Sequence, residues 1–437
     1  MADARLIAGL TAERPAVRLR RWAGILSAFF TAQGLVQLAG IAAGLLLVRT
    51  LPVHEFALYT LALSVTTFFT FLSDLGSSTS LVHFFHRTRR EGGDFAPYLQ
   101  GVLSLRRLAF LAGTVAVLIG FPRAAAAKGY GTAEIALVTA GIVLTVWCQI
   151  HASLGVLALR LADRYPASYR AELAGAAVRL LAVAALIAAS LLSAGPGVLA
   201  GLAAVATVAL LARPETPPAT AGLDLRPYRR RVLHYLGPTL PSALYFSVQG
   251  PLTVWLAASF GATRNIAEVG ALSRLGMVVG IFSSLSGVVF LPRLAQIADE
   301  RLWRTRALQF GGALLAVALT LLAAAALLPD LFLWLLGGSY TGLRRELLLV
   351  VASSGVALVG GYVVNVNLAR AWTRWQAATV VAEVLVQAAL IAVLPLSTTA
   401  GVFTLTLLTT ATGVALQLLV AWTGFHHPAR VEWRTSL

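Results

Sequence analysis

Two arginines lie deep inside apolar stretches of this sequence, where a charge is costly to place. Arg179 is about nine residues into one apolar run and Arg274 is about seven residues into another. A charge at the centre of a bilayer costs roughly 2.5–3.5 kcal/mol or more, so such residues are functional candidates. Because a planar guanidinium binds two phosphate oxygens at once, both are predicted to contact a diphosphate in a cavity. Snorkelling to the interface and an internal salt bridge are the alternatives.

Four other ionisable residues lie in or beside apolar runs. Arg49 is predicted to anchor the first helix at the interface or to act in gating. Asp74 ends the second helix, where it would cap the helix or pair with a nearby arginine. Glu383 is mid-span and could be a proton or sodium site, an arginine partner or a sugar contact, whereas His151 is either a proton sensor or a buried donor. No cofactor is predicted, coupling to H⁺ or Na⁺ is left open, and the single cysteine, Cys148, offers no metal site.

Polar residues also recur at helical spacing within several apolar runs. Such stripes either line a cavity or join helices, since small and polar residues pack transmembrane bundles. Four stripes and one pair of asparagines fit this description: Gln33 and Gln37 with Gly40 and Gly44; Ser242, Tyr245, Gln249 and Thr253; Gln376, Glu383 and Gln387; Thr406, Thr410 and Gln417; and Asn365 with Asn367. The first two stripes fall in the first and seventh helices, the equivalent helices of two halves, which favours a shared cavity.

The elements that must position these residues are transmembrane helices. The chain has 437 residues, 58% of them hydrophobic and only 12% charged, which is too apolar for a water-soluble domain. About twelve runs are long enough to cross a bilayer. They lie near 22–48, 56–81, 98–121, 133–157, 171–193, 196–212, 236–260, 267–291, 307–336, 345–368, 375–395 and 399–424. The run 196–212 is short, and 307–336 is predicted to break near Pro329.

The net charge of +16 is interpreted as a signal for the orientation of the protein in the membrane, since cytoplasmic loops hold the excess of Lys and Arg, and not as a sign of a nucleic-acid partner. Alternate loops together with the termini hold 24 basic residues, and the remaining loops hold 6. Both termini are therefore predicted to be cytoplasmic in a multi-pass protein of the bacterial inner membrane. The chain divides into a basic N-terminus (1–21), an N-lobe (22–212), a cytoplasmic linker (213–235), a C-lobe (236–424) and a tail (425–437). Six helices in each lobe predict a parallel repeat.

Several motifs resemble one transporter family. The stretch GIAAGLLLVRTLPVHEFALYTLALSVTTFFTFLSDLGSS resembles the polysaccharide-transporter branch, with its Wzx-type O-antigen flippases, of the multidrug/oligosaccharidyl-lipid/polysaccharide (MOP) superfamily. In that family an apolar helix ends in Arg, followed by Leu-Gly-Pro, an acidic residue, an aromatic residue and Gly-Leu-Tyr, and the next helix ends in Asp-Leu-Gly. The matching residues are Arg49, Leu51, Glu55, Phe56, Leu58, Tyr59, Asp74, Leu75 and Gly76. The usual Gly before Glu55 is missing, Pro52 is shifted, and Ala57 replaces the second Gly.

Later segments carry the same resemblance. VGALSRLGMVVGIFSSLSGVVFLPRLAQ is similar to the family's eighth helix, and GGSYTG at 337–342 is similar to its Leu-Gly-x-x-Tyr motif. The resemblance implies an all-α membrane protein of two pseudo-symmetric six-helix lobes around a central cavity. It also implies outward movement of polyprenyl-diphosphate-linked oligosaccharides for O-antigen, capsule or exopolysaccharide assembly. The implied partners are the lipid-linked oligosaccharide, the bilayer and other polysaccharide-assembly proteins.

Three other functions compete with this interpretation. A MATE-type cation-coupled drug antiporter shares the architecture, but Asp74 is one of few embedded acids in the N-lobe. A flippase for lipid-linked peptidoglycan precursors usually has about fourteen helices. A membrane glycosyltransferase or O-antigen ligase needs large outer loops or paired carboxylates, and the predicted outer loops are short. We therefore expect a transporter and not an enzyme.

Overall fold

The described part of the chain is a bundle of α-helices. The computed structural model describes residues 15–213, 224–237, 240–285, 294, 297, 299–370 and 372–427. The side chains of 15–32 and of several positions between 241 and 285 lie outside that description. Fifteen helices and one 3₁₀ turn connect these residues, and no strand occurs within the described ranges. The prediction of an all-α polytopic membrane protein is confirmed.

We number the helices in chain order. The first seven are α1 (Pro15–Thr50), α2 (Val53–Asp74), α3 (Ser77–Glu91), α4 (Ala96–Ala126), α5 (Thr132–Leu161), α6 (Tyr165–Ala188) and α7 (Ala194–Leu211). The others are α8 (Arg226–Leu236), α9 (Leu240–Phe260), α10 (Thr263–Leu285), α11 (Glu300–Leu327), α12 (Pro329–Leu336), α13 (Arg344–Ala369), α14 (Gln376–Val393) and α15 (Thr399–His426). We call the side on which α1 begins and α15 ends the terminal face, and the opposite side the far face.

Ten helical stretches in the described ranges are long and apolar enough to cross a membrane. Helices α9 and α10 are not among these ten, but with 21 and 23 residues they are long enough to cross a membrane by length alone. Such helices are about 31–35 Å long, which matches a hydrocarbon core of about 30 Å. Large apolar side chains on the outside of the bundle, such as Leu181 at 68% exposed and Leu308 at 71%, provide the surface that faces lipid.

Two helix breaks shape the bundle. The predicted run 307–336 divides into α11 and α12 at Pro329, whose ring cannot continue the preceding helix, so that expectation is confirmed. The predicted run 56–81 is also divided, because Leu75 and Gly76 adopt left-handed conformations with φ of 44° and 77°. The Asp-Leu-Gly motif therefore ends α2 and starts the separate helix α3 on the terminal face.

Four helices form the central contact between the two lobes, and α12 of the C-lobe also packs on α1. Helix α2 of the N-lobe packs on α10 of the C-lobe at the centre, α1 packs on α10, and α9 packs on α2. Because α1 and α9 are the first helices of their lobes, this arrangement has the two-fold symmetry of a parallel repeat. At the central crossing the side chain of Thr60 lies against Gly270, where an added Cβ would be 2.2 Å from the Thr60 Oγ1.

The repeat extends to matched acidic residues near the far face. In the N-lobe, Glu55 Oε2 accepts a hydrogen bond of 2.7 Å from the backbone N–H of Ala194, the first residue of α7. In the C-lobe, Glu268 Oε2 accepts one of 2.5 Å from the hydroxyl of Thr399, the first residue of α15. Each acid thus connects the second span of its lobe to the start of the sixth, where the helix dipole favours a negative charge.

The proposed divisions of the chain lie partly outside the described residues. Residues 1–14, 214–223 and 428–437 belong to the predicted N-terminus, linker and tail and are outside the description, as are Arg5, Arg14, Arg293, Arg430 and Arg434. The second half of the predicted linker forms α8, which packs on α4 and α3 of the N-lobe. The division at 213–235 stays a prediction.

Candidate functional site

Two arginines from different lobes meet at one tyrosine in the middle of the bundle. Arg179 is on α6, about 21 Å from the terminal end of that helix, and Arg274 is on α10, about 16 Å from its far end. The Nη2 of Arg179 donates to the Tyr59 hydroxyl at 3.0 Å. Arg274 also interacts with that hydroxyl, and the two positive charges are close enough to repel each other. We call these three residues the arginine pair and its tyrosine.

The arginine pair lacks a negative partner in the described ranges. No carboxylate there lies within ion-pair distance of Arg179 or Arg274. Arg274 is 5% exposed, and its Nε has no acceptor among the described residues. Its aliphatic stem packs on Gly44 of α1, where an added Cβ would lie 3.3 Å from Arg274 Cδ. The site therefore holds two largely buried cations without a carboxylate partner in the described residues. The alternative of an internal salt bridge, with Glu383 as the partner, is not seen there.

Two adjacent cavities in the N-lobe share Arg179 and Gln149 in their linings. The larger, of about 600 Å³, extends from Arg179 and Gly40 to the ion pair between Arg160 and Glu172 near the terminal face. The smaller, of about 330 Å³, is lined mainly by apolar residues but also by hydroxyl and amide groups. These polar side chains are Tyr59, Thr66, Thr67, Thr70, Thr145 and Gln149. Groups of this kind can hydrogen-bond a hydrated ligand beside the arginine pair.

The predicted polar face of α1 adjoins this site. Gly40 lines the larger cavity and Gly44 packs on Arg274. Gln37 and Gln33 lie on the same face, about one and two turns from Gly40 towards the terminal face, and both are half-buried. This face of α1 therefore borders the route from the terminal face to the arginine pair.

The C-lobe stripes pair with each other. Tyr245 on α9 donates to Glu383 Oε2 on α14 at 3.0 Å. One turn further along, Gln249 and Gln387 exchange hydrogen bonds of 2.9 and 3.1 Å. These contacts join α9 to α14, as the helix-packing interpretation expects. The Ser242 side chain lies outside the described residues.

The two asparagines of α13 have different surroundings. The Asn367 Nδ2 donates to the main-chain and side-chain oxygens of Gln417 on α15, each at 3.0 Å. The Asn367 Oδ1 is buried and has no donor in the described part of the chain. Asn365 is half-buried on the same helix.

Asp74, at the end of α2 on the terminal face, forms an ion pair with the buried Arg106. Its Oδ1 accepts from Arg106 Nη2 and, at 2.8 Å, from the Ser78 hydroxyl. Arg106 has a side chain only 2% exposed and also donates to the hydroxyls of Ser77 and Ser153, each at 2.8 Å. This arrangement agrees with the structural interpretation of Asp74.

Arg49 joins the two lobes at the far face. Its Nη2 donates to the carbonyl of Trp334 at 2.8 Å, and its guanidinium lies 4.3 Å from the Trp334 ring centroid. A matching bond runs from Lys128 Nζ in the N-lobe to the Gly261 carbonyl in the C-lobe, also at 2.8 Å. We call these two bonds the far-face latches, because together they fasten the ends of α1 and α9 to the opposite lobe.

His151 faces away from the arginine pair. Its Nδ1 is 2.9 Å from the carbonyl of Trp147, and it lines a separate apolar cavity of about 410 Å³ with Cys148. Gln149 and Ser153, on the opposite side of α5, line the cavity that contains Arg179.

Sequence reasoning did not select Tyr59, the residue that joins the arginine pair. Tyr59 is 3% exposed and matched the family motif, but a tyrosine in an apolar helix is unremarkable by type. Its position in the motif was the one signal that could have identified it. The sequence allowed Asp74 to pair with a nearby arginine but did not identify Arg106, because the acid and the base are on different helices and spacing along the chain does not relate them.

The architecture has counterparts among solved structures. No family model of sequences matches the chain, and no curated protein matches it in sequence. The chain is similar to "Lipid II flippase MurJ, inward closed conformation", with a TM-score of 0.71 and 13% identity over 91% of this chain and 88% of that one. It has the fold of MOP transporters. The likeness shows the fold alone, since the identity is low.

Two MATE transporters share this fold at lower similarity. One is an inward-facing MATE family transporter of the MOP superfamily, with a TM-score of 0.60 and 13% identity over 91% of this chain and 96% of that one. The other is the Vibrio cholerae MATE transporter VcmN, with a TM-score of 0.60 and 15% identity over 92% of this chain and 95% of that one. The MOP fold thus extends over nearly the whole chain.

Proposed function

We propose that this protein is a flippase for a polyprenyl-diphosphate-linked oligosaccharide, a repeat unit of O-antigen, capsule or exopolysaccharide. It would move this lipid from the cytoplasmic to the periplasmic leaflet of the bacterial inner membrane by alternating access. The observation that carries the proposal is the arginine pair: the half-buried Arg179 of one lobe and the buried Arg274 of the other, beside a cavity that includes hydroxyl and amide groups.

The physical argument concerns the energy of this pair. Each intramembrane charge is costly, and two like charges held close together add repulsion. A diphosphate between them would replace repulsion with attraction, and each guanidinium could bind two of its oxygens. The hydroxyl and amide groups of Thr66, Thr70 and Gln149 would hydrogen-bond the sugars while the polyprenyl chain stays in lipid.

The position of the pair between the lobes suits alternating access. Because Arg179 belongs to the N-lobe and Arg274 to the C-lobe, a bound anion would favour the arrangement in which both reach it. A cationic drug, the substrate class of the competing antiporter function, would meet the same two positive charges and be repelled. The pair therefore favours an anionic substrate.

The orientation of the protein is part of this proposal. The excess of basic residues belongs to the termini and to the loops on the terminal face, so that face would be cytoplasmic. The larger cavity runs from that face to the arginine pair, and the far-face latches close the other side. The described arrangement thus fits loading of substrate from the cytoplasmic leaflet.

Transport in proteoliposomes tests the proposal. Purified protein is reconstituted with a fluorescent polyprenyl-diphosphate sugar, and arrival in the opposite leaflet is measured by quenching from outside. Arg179→Ala and Arg274→Ala should each weaken substrate binding by about 10- to 150-fold, since a hydrogen bond to a charged group contributes about 1.5–3 kcal/mol. Lysine at either position should restore only part of the rate, because it lacks the planar fork.

The matched control is Arg123→Ala, which removes an exposed arginine near the far end of α4. This variant should flip substrate at the unmodified rate, and thermal unfolding of every variant separates loss of transport from loss of folding. Full transport by both alanine variants would remove the arginine pair from the site. Uptake of a cationic dye in place of the glycolipid would indicate the antiporter function.

A further inference from the structure

A second cationic site lies at the terminal face, away from the arginine pair. Helix α8 packs on α3 and α4 through Val232 and Leu236, and between α3 and α8 it leaves a cavity of about 650 Å³. We call this cavity the α3–α8 groove. Six basic residues line it: His83, Arg87, Arg226, Arg230, Arg231 and His234.

The charges of this groove are mostly uncompensated. Arg87 pairs with Glu91 at 2.8 Å, and Arg231 donates to the Tyr98 hydroxyl at 3.0 Å. Arg226 and Arg230 have no side-chain acceptor within the described ranges, and none of the lining residues is acidic. Asp224 precedes the helix and accepts a hydrogen bond of 2.9 Å from the backbone N–H of Arg226, not from its guanidinium. The groove therefore presents guanidinium groups that lack carboxylate partners among the described residues.

The groove also has an apolar side. The His83 and Tyr235 rings stack at 4.7 Å, and Phe84 lies behind them. Tyr235, which lines the groove, is 39% exposed, and Leu233, which lies outside that lining on the same helix, is 54% exposed. Leu240 follows closely and begins the long apolar helix α9, so this end of α8 is expected at the level where the bilayer begins.

We propose that the α3–α8 groove binds the headgroup of an anionic phospholipid of the bilayer. Its arginines would contact the phosphate, while Leu233 and Tyr235 would contact the upper acyl chain. Basic pockets beside transmembrane helices at this level are suited to such headgroups. A soluble phosphate would use the arginines alone and leave the apolar side without a role. Because only three residues separate α8 from α9 in the chain, an occupied groove would also hold the start of the C-lobe against the N-lobe.

The general excess of arginine on this face could attract anionic lipid without a site, so a matched control is needed. The full-length protein in neutral detergent is titrated with phosphatidylglycerol, and bound lipid is counted by native mass spectrometry. Arg226→Gln with Arg230→Gln should weaken this binding roughly 25-fold, since each arginine near the surface contributes about fivefold. The control is Arg301→Gln with Arg306→Gln, the same charge change on exposed residues at the terminal end of α11. It should leave the affinity unchanged.

Further measurements distinguish binding of a lipid from binding of other anions. Leu233→Gln should weaken phosphatidylglycerol binding and leave binding of inorganic phosphate as it is. Equal losses in the two double-arginine variants would show that only overall surface charge matters, which would overturn the proposal. Displacement of the lipid by an equal concentration of inorganic phosphate, or equal binding of phosphatidylcholine, would overturn it as well. None of these readouts depends on transport, so the proposal stands or fails independently of the flippase function.

Discussion

Replacing Gly270 with alanine should force the two lobes apart where α2 crosses α10. The new Cβ would lie 2.2 Å from Oγ1, 2.5 Å from Cγ2 and 2.9 Å from Cβ of Thr60. All three distances are shorter than ordinary contacts, and Thr60 is 4% exposed, so it has little room to move. The clash exists only while the lobes are in contact at the crossing. The substitution should therefore destabilise the arrangement in which the far face is closed.

Overpacking a tight interface costs about 1–3 kcal/mol. If the lobes open and close in equilibrium, this cost raises the population of the open arrangement by about 5- to 150-fold. The assay uses a cysteine at Leu51, which is 5% exposed near the far face, in a Cys148→Ser background. The rate of its modification by a membrane-impermeant maleimide should rise by that factor in the Gly270→Ala variant.

Three further variants make the reasoning refutable. Thr60→Ala removes the two closest contacts and should partly reverse the effect of Gly270→Ala, and Thr60→Gly should reverse it further. Gly201→Ala on α7, where nothing lies within 4 Å of the added Cβ, should change nothing. An unchanged modification rate in Gly270→Ala, or no reversal by Thr60→Gly, would show that the crossing does not control the far face.

Two other predictions concern stability and pH. Asp74→Asn should lower the free energy of unfolding in detergent by about 3–5 kcal/mol, because Arg106 would stay buried without a charge partner. The control Glu91→Gln breaks an exposed ion pair and should lower it by less than about 1 kcal/mol. A loss for Asp74→Asn as small as that for Glu91→Gln would contradict this reasoning. Burial and the negative charge of Glu268 raise the pKa of Tyr340, in the turn before α13, from 10.0 to about 12. The neutral phenol thus stabilises the fold fully below about pH 10, and this contribution is lost as pH rises towards 12. Tyrosine ionisation is followed by absorbance at 295 nm as pH is raised, in the unmodified protein and in Tyr340→Phe. The difference between the two curves should show one tyrosine ionising near pH 12, and a midpoint near pH 10 would refute the raised pKa of Tyr340.

The sequence predicted the helices and the chemistry of the central site better than it predicted which faces meet. Arg179 and Arg274 could be identified because a charge inside an apolar run is costly wherever the helix lies. Periodicity also placed Gln249 and Gln387 on polar faces of their helices. It could not show that these faces join α9 to α14, because contacts between helices far apart in the chain depend on the packing of the whole bundle.

Backbone conformation was the other feature that could be predicted from the sequence only in part. The break at Pro329 could be predicted because the proline ring excludes helical continuation. The family motif placed the end of the second helix at Asp74, but the separate helix α3 after it was not predicted, since leucine rarely adopts a left-handed conformation and only Gly76 beside it suggested a turn. Tyr59 was missed because its role arises from two guanidinium groups that the fold brings to it from different lobes.

The far-face latches have an asymmetry that bears on tolerance to mutation. In each latch the donor is a side chain, Arg49 or Lys128, but the acceptor is a main-chain carbonyl. A carbonyl is present whatever residue occupies the position, so substitutions at 334 remove the ring contact with Arg49 and leave the hydrogen bond. Changes at 49 or 128 remove the bond itself. The hydrogen bonds of the two latches are therefore encoded by two basic side chains, and sequence drift on the acceptor side leaves them intact.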